Sequence, residues 1–388
     1  MRFWVACVLL VLASCSPAED DDEPEAPEAA VVDAEPDAEL PDAAPDAELP
    51  DAVPVSGFAL YLAVDGDDGA EGRTPATALA TMAGVHERLW AAMPDDDVQV
   101  RIGPGRYHQQ TVEWSWTHPV HAVSFFPDVP ETRPVFDGCD ATGTQCPGGV
   151  WLNVEAARGE PTNVNVEGLR FENYQGGVSL HGDRLRPDDG WNGANRVEDC
   201  EFYNIGNVFD VSVGNAFGAI NLTNSRNNLF AGNRFVRTLV YAEFGLMHAI
   251  YVAHDSTGNL IEENHFEIVS GDAVRFRDAS SDNLVRRNVF IKAGTAGYTD
   301  WYCEHDTRDD CTKPTPECPS WNNRFEENVL EGTWPRCNPL PAVLIYQDDV
   351  ETGCEAPEDA ERVAEVDNVE REEGNCMPGV DPAMAPPP

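Results

Sequence analysis

The sequence predicts an all-β solenoid in which short strands stack as parallel coils, with a short helix closing its N-terminal end. Three observations predict it: a strand–turn–helix entry, an asparagine-and-phenylalanine unit repeating through the second half of the chain, and a short apolar strand after most copies of that unit.

The entry begins with alternating apolar residues from Phe58 to Val64, followed by the turn Asp65-Gly66-Asp67-Asp68-Gly69. Thr74 is placed as an N-cap with Pro75 at the first helical position, and Leu79, Met82, Leu89 and Trp90 mark one apolar face to about Met93. Val98 to Ile102, then Gly105-Arg106-Tyr107, read as the first rung. The Asp-rich turn leaves two readings open, a plain turn and a calcium loop.

From residue 164 the chain repeats itself. Each unit carries Asn, an apolar residue two on, Asn five on and an apolar residue, usually Phe, seven on. The copies are Asn228/Phe230/Asn233/Phe235, Asn259/Ile261/Asn264/Phe266, Asn283/Val285/Asn288/Phe290 and Asn323/Phe325/Asn328/Leu330. Earlier versions are Asn195/Val197/Cys200/Phe202 and Val164/Val166/Leu169/Phe171, and successive copies start 31, 33, 31, 24 and 40 residues apart. Second strands are expected at Val178–Leu180, Ile220–Leu222, Ile250–Val252, Val274–Phe276 and Val343–Ile345. The period is too short for a βαβ unit and fits one coil of a solenoid. Coils about 4.8 Å apart set like above like, so asparagines at one bend bond to each other and Phe residues fill a dry interior. Cys200 is expected as an inert, buried stand-in in the asparagine column.

This pattern resembles the pectate-lyase-like superfamily of right-handed parallel β-helices over roughly residues 56–346. The resemblance implies a single-stranded solenoid whose open end is lidded by the entry helix, covering an aggregation-prone edge. It also implies that substrate lies in a groove along one parallel sheet.

The ends of the chain read differently. Residues 1–14 resemble a lipoprotein signal peptide: Arg2, an apolar run from Phe3 to Leu12, and Leu12-Ala13-Ser14-Cys15, which is similar to a lipobox. Lipidation at Cys15 is expected, and Ser16 after it implies sorting to the outer membrane, on the periplasmic or the cell-surface face. Residues 15–55 form an acidic Ala/Pro tether, with fifteen Asp/Glu and no Lys or Arg; repulsion and proline keep it extended. Residues 347–388 read as an acidic, cysteine-containing tail. The whole chain carries −44, about −19 of it on the solenoid, and no basic stripe occurs, which excludes nucleic acid as a partner.

Cysteine usage fits an oxidising compartment. With Cys7 in the leader and Cys15 at the lipid site, eight of the remaining nine lie in loop-like sequence, and no Cys-x-x-Cys pair points to zinc. Near-neighbour pairs are expected: Cys139–Cys146, Cys303–Cys311, Cys318–Cys337 and Cys354–Cys376.

Chemistry is expected on the second strands. If Ile250 and Val252 face inward, Tyr251 faces out, as do Arg275 and Arg277. Ser179 and Asn221 share the column of Tyr251, and His181 shares that of Arg277. His248, His254, Asp272 and Asp278 flank the strands. Tyr251, Arg275, His248 and His254 are the catalytic candidates, and Arg277, Asp278, Asn221, His181 and Asp272 the substrate-binding ones. The set suits β-elimination on a uronate polymer: arginine neutralises the carboxylate, and tyrosine or histidine moves the proton. The same residues also suit a surface ladder of ion pairs with no chemistry. Polysaccharide is the expected partner, no metal ligand set stands out, and Ca²⁺ is the one cofactor left open. Two alternatives stand beside a lyase. One is a non-catalytic glycan-binding or adhesion module with Trp114 and Trp116 as stacking platforms or as core. The other is a glycoside hydrolase using Asp272 and Asp278. The signatures of polygalacturonases, mannuronan epimerases and calcium pectate lyases are absent, and with only Lys292 and Lys313 in the chain a lysine base is disfavoured.

Overall fold

The computed structural model describes residues 57–207, 209, 214, 217–240, 244–302, 317–335, 338–346 and 354–371. The leader, Cys15 and the tether lie outside these residues, as do Cys303, Cys311, Cys337 and Cys376. No helix among the described residues is long and apolar enough to cross a membrane.

The strands form three long parallel sheets. The first has ten strands, from Phe58–Leu62 to Val363–Val366; the second has eight, from Val112–Trp114 to Val343–Ile345; the third has nine, from Arg106–His108 to Val369–Glu370. Each complete coil gives one strand to each sheet. In one coil Leu229–Ala231 lies in the first sheet, Arg234–Leu239 in the third and His248–Ala253 in the second. Register is one to one and parallel, pairing Phe230 with Ile261 and Phe235 with Phe266.

From Leu229–Ala231 to Asn323–Glu326 the asparagines bracket the strands of the first sheet and form two buried ladders. In one, Asn195 donates from Nδ2 to Asn228 Oδ1 at 2.9 Å, Asn228 to Asn259 at 2.7 Å, Asn259 to Asn283 at 2.9 Å and Asn283 to Asn323 at 3.1 Å. In the other, Asn233, Asn264, Asn288, Asn328 and Asn368 join at 3.0 Å per step. Each Oδ1 also accepts the backbone N–H of the residue before it in the ladder, as Asn264 does from Asn233 at 2.9 Å. Cys200 tops the second ladder, buried and unoxidised, its N–H bonded to Asn233 Oδ1 at 3.0 Å. The residue ahead of each second-ladder Asn is left-handed: Gly232 at φ 65°, Glu263 at 58°, Arg287 at 53° and Glu327 at 56°. For the non-glycines this costs about 1–2 kcal/mol each, and the corner persists because the Asn satisfies buried backbone on both sides of it. Inside, Phe171, Phe202, Phe235, Phe266 and Phe290 stack with centroids 4.7–5.1 Å apart, within the range where aromatic pairs attract beyond area alone.

Three expectations need correction. The α-helix is α1, Met82–Ala92, capped by Thr81, whose side chain accepts from Gly84 N at 2.9 Å. Thr74 and Pro75 open only a 3₁₀ turn, Pro75–Thr77, because Leu79 then bonds beside the first strand, its N–H reaching Tyr61 O at 2.8 Å. Val85 takes the buried place given to Trp90, which is exposed. Second, Cys318 pairs with Cys354 rather than Cys337, which also frees Cys354 from Cys376. A separation of 36 residues is close to one coil, so spatial neighbours along the stack replace neighbours in sequence; Cys139–Cys146 forms as expected. Third, the solenoid continues past 346, since Val363–Val366 and Val369–Glu370 pair with Asn323–Glu326 and Val329–Glu331. Glu365 and Glu370 hold the places that Phe325 and Leu330 hold one coil earlier, which hid this rung from a search for apolar repeats. Of the two readings of Trp114 and Trp116, core holds: both are buried and offer no stacking surface.

The interrupted coil also has its second-sheet strand, Tyr298–Trp301. Its alternation is masked because the inward slot above Phe276 holds Asp300. Burial pushes this carboxyl up, while Arg362 at 2.6 Å and Ser320 Oγ at 2.9 Å draw it down. In the Asp-rich turn, Asp68 accepts from Ala80 N, Thr81 N and Thr81 Oγ1, and Asp67 from Gly69 N. Both carboxylates therefore serve the turn and the helix start.

Asn264→Ala strips two acceptor bonds from Asn233 in a dry site and is expected to cost about 2–4 kcal/mol. Arg196→Ala, which breaks an exposed pair with Glu198, is expected to cost less than about 1 kcal/mol. Thermal melts followed by circular dichroism check both.

Candidate functional site

The second sheet carries an open cleft of about 480 Å³ on its outer face. Period-two alternation sends Ile250 and Val252 into the core and Tyr251 out, and stacking then builds two outward columns. One runs Ser179, Asn221, Tyr251, Arg275, Thr299, and the other His181, Thr223, Ala253, Arg277, Trp301. Of the nine catalytic and binding candidates, five line the cleft: His181, Asn221, Tyr251, His254 and Arg277. A second hollow adjoins it through His181, Arg184, Thr223 and His254.

Tyr251 sits mid-furrow between two rings, Phe217 with its centroid at 6.3 Å and His248 at 5.4 Å, both near parallel to it. Its Oη accepts from Arg277 Nη1 at 3.1 Å. Arg277 lies over the Trp301 ring at 4.4 Å and forks from Nε and Nη2 onto both Glu317 oxygens at 2.8 Å each. Burial works against the guanidinium charge, but Tyr251 and Glu317 outweigh it and hold Arg277 firmly protonated. Ala253 leaves room for this arginine to cross to Tyr251 from the next coil.

His254 and Asp255 leave the strand in left-handed conformations, φ 55° and 60°, which turns the His254 ring to the cleft wall. Its Nδ1 lies 2.7 Å from Asp278 Oδ2, and since a carboxylate only accepts, Nδ1–H donates. Asp278 also accepts Cys318 N–H at 3.1 Å. His181 is held below its ordinary pKa by burial, with Glu155 and Glu113 pulling the other way, so it is neutral at pH 7.

The other candidates border the cleft without lining it. His248 is buried, and its Nδ1–H donates to Asp272 O at 2.8 Å. Arg275 contacts Asp272 Oδ2, donates from Nε to Thr299 Oγ1 at 2.7 Å and lies 5.1 Å from the Tyr346 ring. Thr295 Oγ1 and N–H fill Asp272 Oδ1. Burial pushes Asp272 up, but the charge of Arg275, with hydrogen bonds from Thr295 and Arg275, outweighs it and keeps it ionised. Asp272 and Asp278 are each 3% exposed, already bonded, and outside the cleft lining, so they do not present the open carboxylate pair that hydrolysis of a glycoside requires.

Sequence reasoning missed Glu317, Trp301, Phe217 and Arg184. Glu317 follows Arg277 by forty residues, across a cysteine-rich insertion, so no local spacing marked it. Phe217 and Arg184 lie at a strand entrance and in a loop, outside the repeat.

Among the described residues, two clusters have donor sets of metal-binding type. In Asp95/His118/His121, His118 Nδ1 accepts the N–H of Val120 and of His121. Its proton therefore sits on the Nε2 that faces Asp95, the wrong tautomer for a ligand. In His254/Asp278/Glu317 the carboxylates already serve His254, Cys318 N–H and Arg277.

Burial first and Arg275 second hold His248 well below 6.5, so the unfolded chain binds a proton that the fold refuses. Stability is therefore expected to fall as pH drops below about 6.5; His181 and His86 shift in the same direction. Melting temperatures taken between about pH 7 and about pH 5 check the sign. His248→Gln, which keeps a donor toward Asp272, is expected to flatten that limb.

Comparison with known proteins agrees with this architecture. Residues 133–303 match a family model described as a right handed beta helix region. Among solved structures, an alginate lyase from a Paenibacillus species is 13% identical, with a TM-score of 0.44 over 74% of this chain and 93% of its own. The pectate lyase Pel9A is 11% identical, with a TM-score of 0.39 over 74% and 68%. The catalytic domain of a GH87 alpha-1,3-glucanase is 13% identical, with a TM-score of 0.36; 63% of this chain aligns with only 36% of that one. The search of curated proteins found no match. Three stacked parallel sheets, two asparagine ladders and the family match together identify the folded part of this chain as a right-handed parallel β-helix.

Proposed function

We propose that this chain is a polysaccharide lyase that cleaves a uronate-containing polymer by β-elimination, tethered to the outer membrane through Cys15. The observation that carries the reading is the bond from Arg277 to Tyr251 Oη on the cleft floor. Glu317 fixes the guanidinium, and the guanidinium fixes the Tyr251 hydroxyl at the cleft floor, the placement that proton transfer to and from a bound sugar requires. In the reaction the base removes the proton at C5, beside the carboxylate. The C4–O bond breaks as the C4–C5 double bond forms, and the departing oxygen takes up a proton, which the same hydroxyl can return. His181 and His254, on the cleft wall, hydrogen-bond the sugar on either side. Arg275, His248 and Asp272 act as support beneath the strand ends. The lipobox-like tetrad and the acidic tether support a location held off a membrane surface in the exported compartment.

A second reading, glycan binding without turnover, draws on Phe217. Its ring is 53% exposed beside Tyr251 and offers a face to a sugar.

Incubation with a panel of uronate polymers, followed by near-ultraviolet absorbance of the conjugated product, separates the two. Tyr251→Phe is expected to lower turnover by about 10²–10⁴-fold while leaving binding near wild type. Arg275→Ala is expected to lower the melting temperature more than it lowers kcat. Undiminished turnover in Tyr251→Phe sinks the lyase assignment, and saturable binding with no product across the panel supports the second reading.

A further inference from the structure

Both arginines that face outward beside Tyr251 are already neutralised, Arg277 by Glu317 and Arg275 by Asp272. A guanidinium engaged in this way has little charge left for an anion. Arg184 differs. It lines both the cleft with Tyr251 and the adjoining hollow, it is exposed, and among the described residues no carboxylate or hydrogen-bond acceptor engages it. His181 beside it is neutral, so among the described residues Arg184 is the cation of the furrow that forms no ion pair, although Glu155 and Asp183 line the hollow with it.

The loop that presents Arg184 is firmly built. Asp183 accepts from Leu185 N and Arg186 Nε at 2.9 Å each, and Asp183 N–H closes the loop onto Gly190 O at 2.7 Å. From the next coil, the buried Asn224 donates to Asp183 O at 3.0 Å and to Arg186 O at 3.1 Å, and Arg226 bonds Pro187 O. Arg184 takes part in none of these bonds. The fold therefore fixes the backbone under a side chain that the fold itself does not use.

We propose that Arg184 is the specificity-determining residue of the furrow: it binds the acidic group of a polysaccharide, a uronate carboxylate or a sulfate ester. The inference rests on the furrow being a polysaccharide site, and not on turnover there. A planar guanidinium meets two oxygens of either group at once, which a lysine cannot do. The long-range field opposes such a ligand, because the chain carries −44. Acidic polymers are therefore retained only where a close, uncancelled cation receives them.

The test is calorimetric binding by the full chain of polygalacturonate, fully methyl-esterified polygalacturonate, alginate, dextran sulfate and dextran. Wild type is expected to bind acidic polymers at least about tenfold more tightly than their uncharged counterparts. Arg184→Ala is expected to weaken acidic polymers by about 10- to 100-fold and to leave uncharged ones unchanged, with Arg184→Lys in between. Whether the polyuronates or dextran sulfate suffer the loss tells carboxylate from sulfate. Where product forms, Arg184→Ala raises KM and leaves kcat nearly unchanged. Tyr251→Phe serves as the turnover-silent background, so failure of the elimination chemistry leaves the binding result readable. The inference is overturned if Arg184→Ala binds acidic polymers as tightly as wild type, if wild type does not distinguish acid from ester, or if no acidic polymer binds.

Discussion

Register is the constraint on which the rest of this structure depends, and side-chain amides hold it. From Asn228 and Asn264 onward, every Asn Oδ1 in the two ladders takes one backbone N–H and one side-chain N–H from the coil before, so a slip of one residue would strand both inside a dry core. Because the amides forbid that slip, any property placed once per coil becomes a column. Phenylalanines become a stack, outward charges become a wall of pairs such as Arg286 with Glu262 and Arg234 with Glu267, and outward functional groups become a furrow. The furrow is thus a by-product of core hydrogen bonding, and its spacing is that of the backbone.

The site adds chemistry to this frame by breaking its pattern in a few places. Arg277 would sit over the residue below it in its column, but that residue is Ala253, so the guanidinium leans across to Tyr251. His254 and Asp278 are left-handed non-glycines at strand ends, held by the bond between them. Such conformations are uphill, and they sit where the furrow needs side chains aimed sideways.

Much of this was legible in the sequence, because a solenoid writes each property at a fixed period. The asparagine columns, the substitution at Cys200, the outward placement of Tyr251 and Arg277 and the Cys139–Cys146 pair all follow from local text. The longest-range illegible parts join residues about one coil apart, across loops of irregular length. Glu317 against Arg277 and Cys318 against Cys354 are contacts of this kind. The sheltered state of Arg275 is half local, since Asp272 lies three residues before it, and half hidden, since Thr299 closes on it from the next coil. Polar residues in inward slots, Asp300, Glu365 and Glu370, concealed the strands that carry them.

Those last two glutamates bear on how the molecule stays finite. A stack of parallel coils has nothing in its geometry that tells it to stop, and a bare apolar face at one end would accept another copy of itself, then another, into a filament. Carboxylates in place of Phe and Leu turn that face toward water, and a second copy would have to strip their hydration to dock there. Among the described residues, the last rung thus carries its own barrier to self-addition.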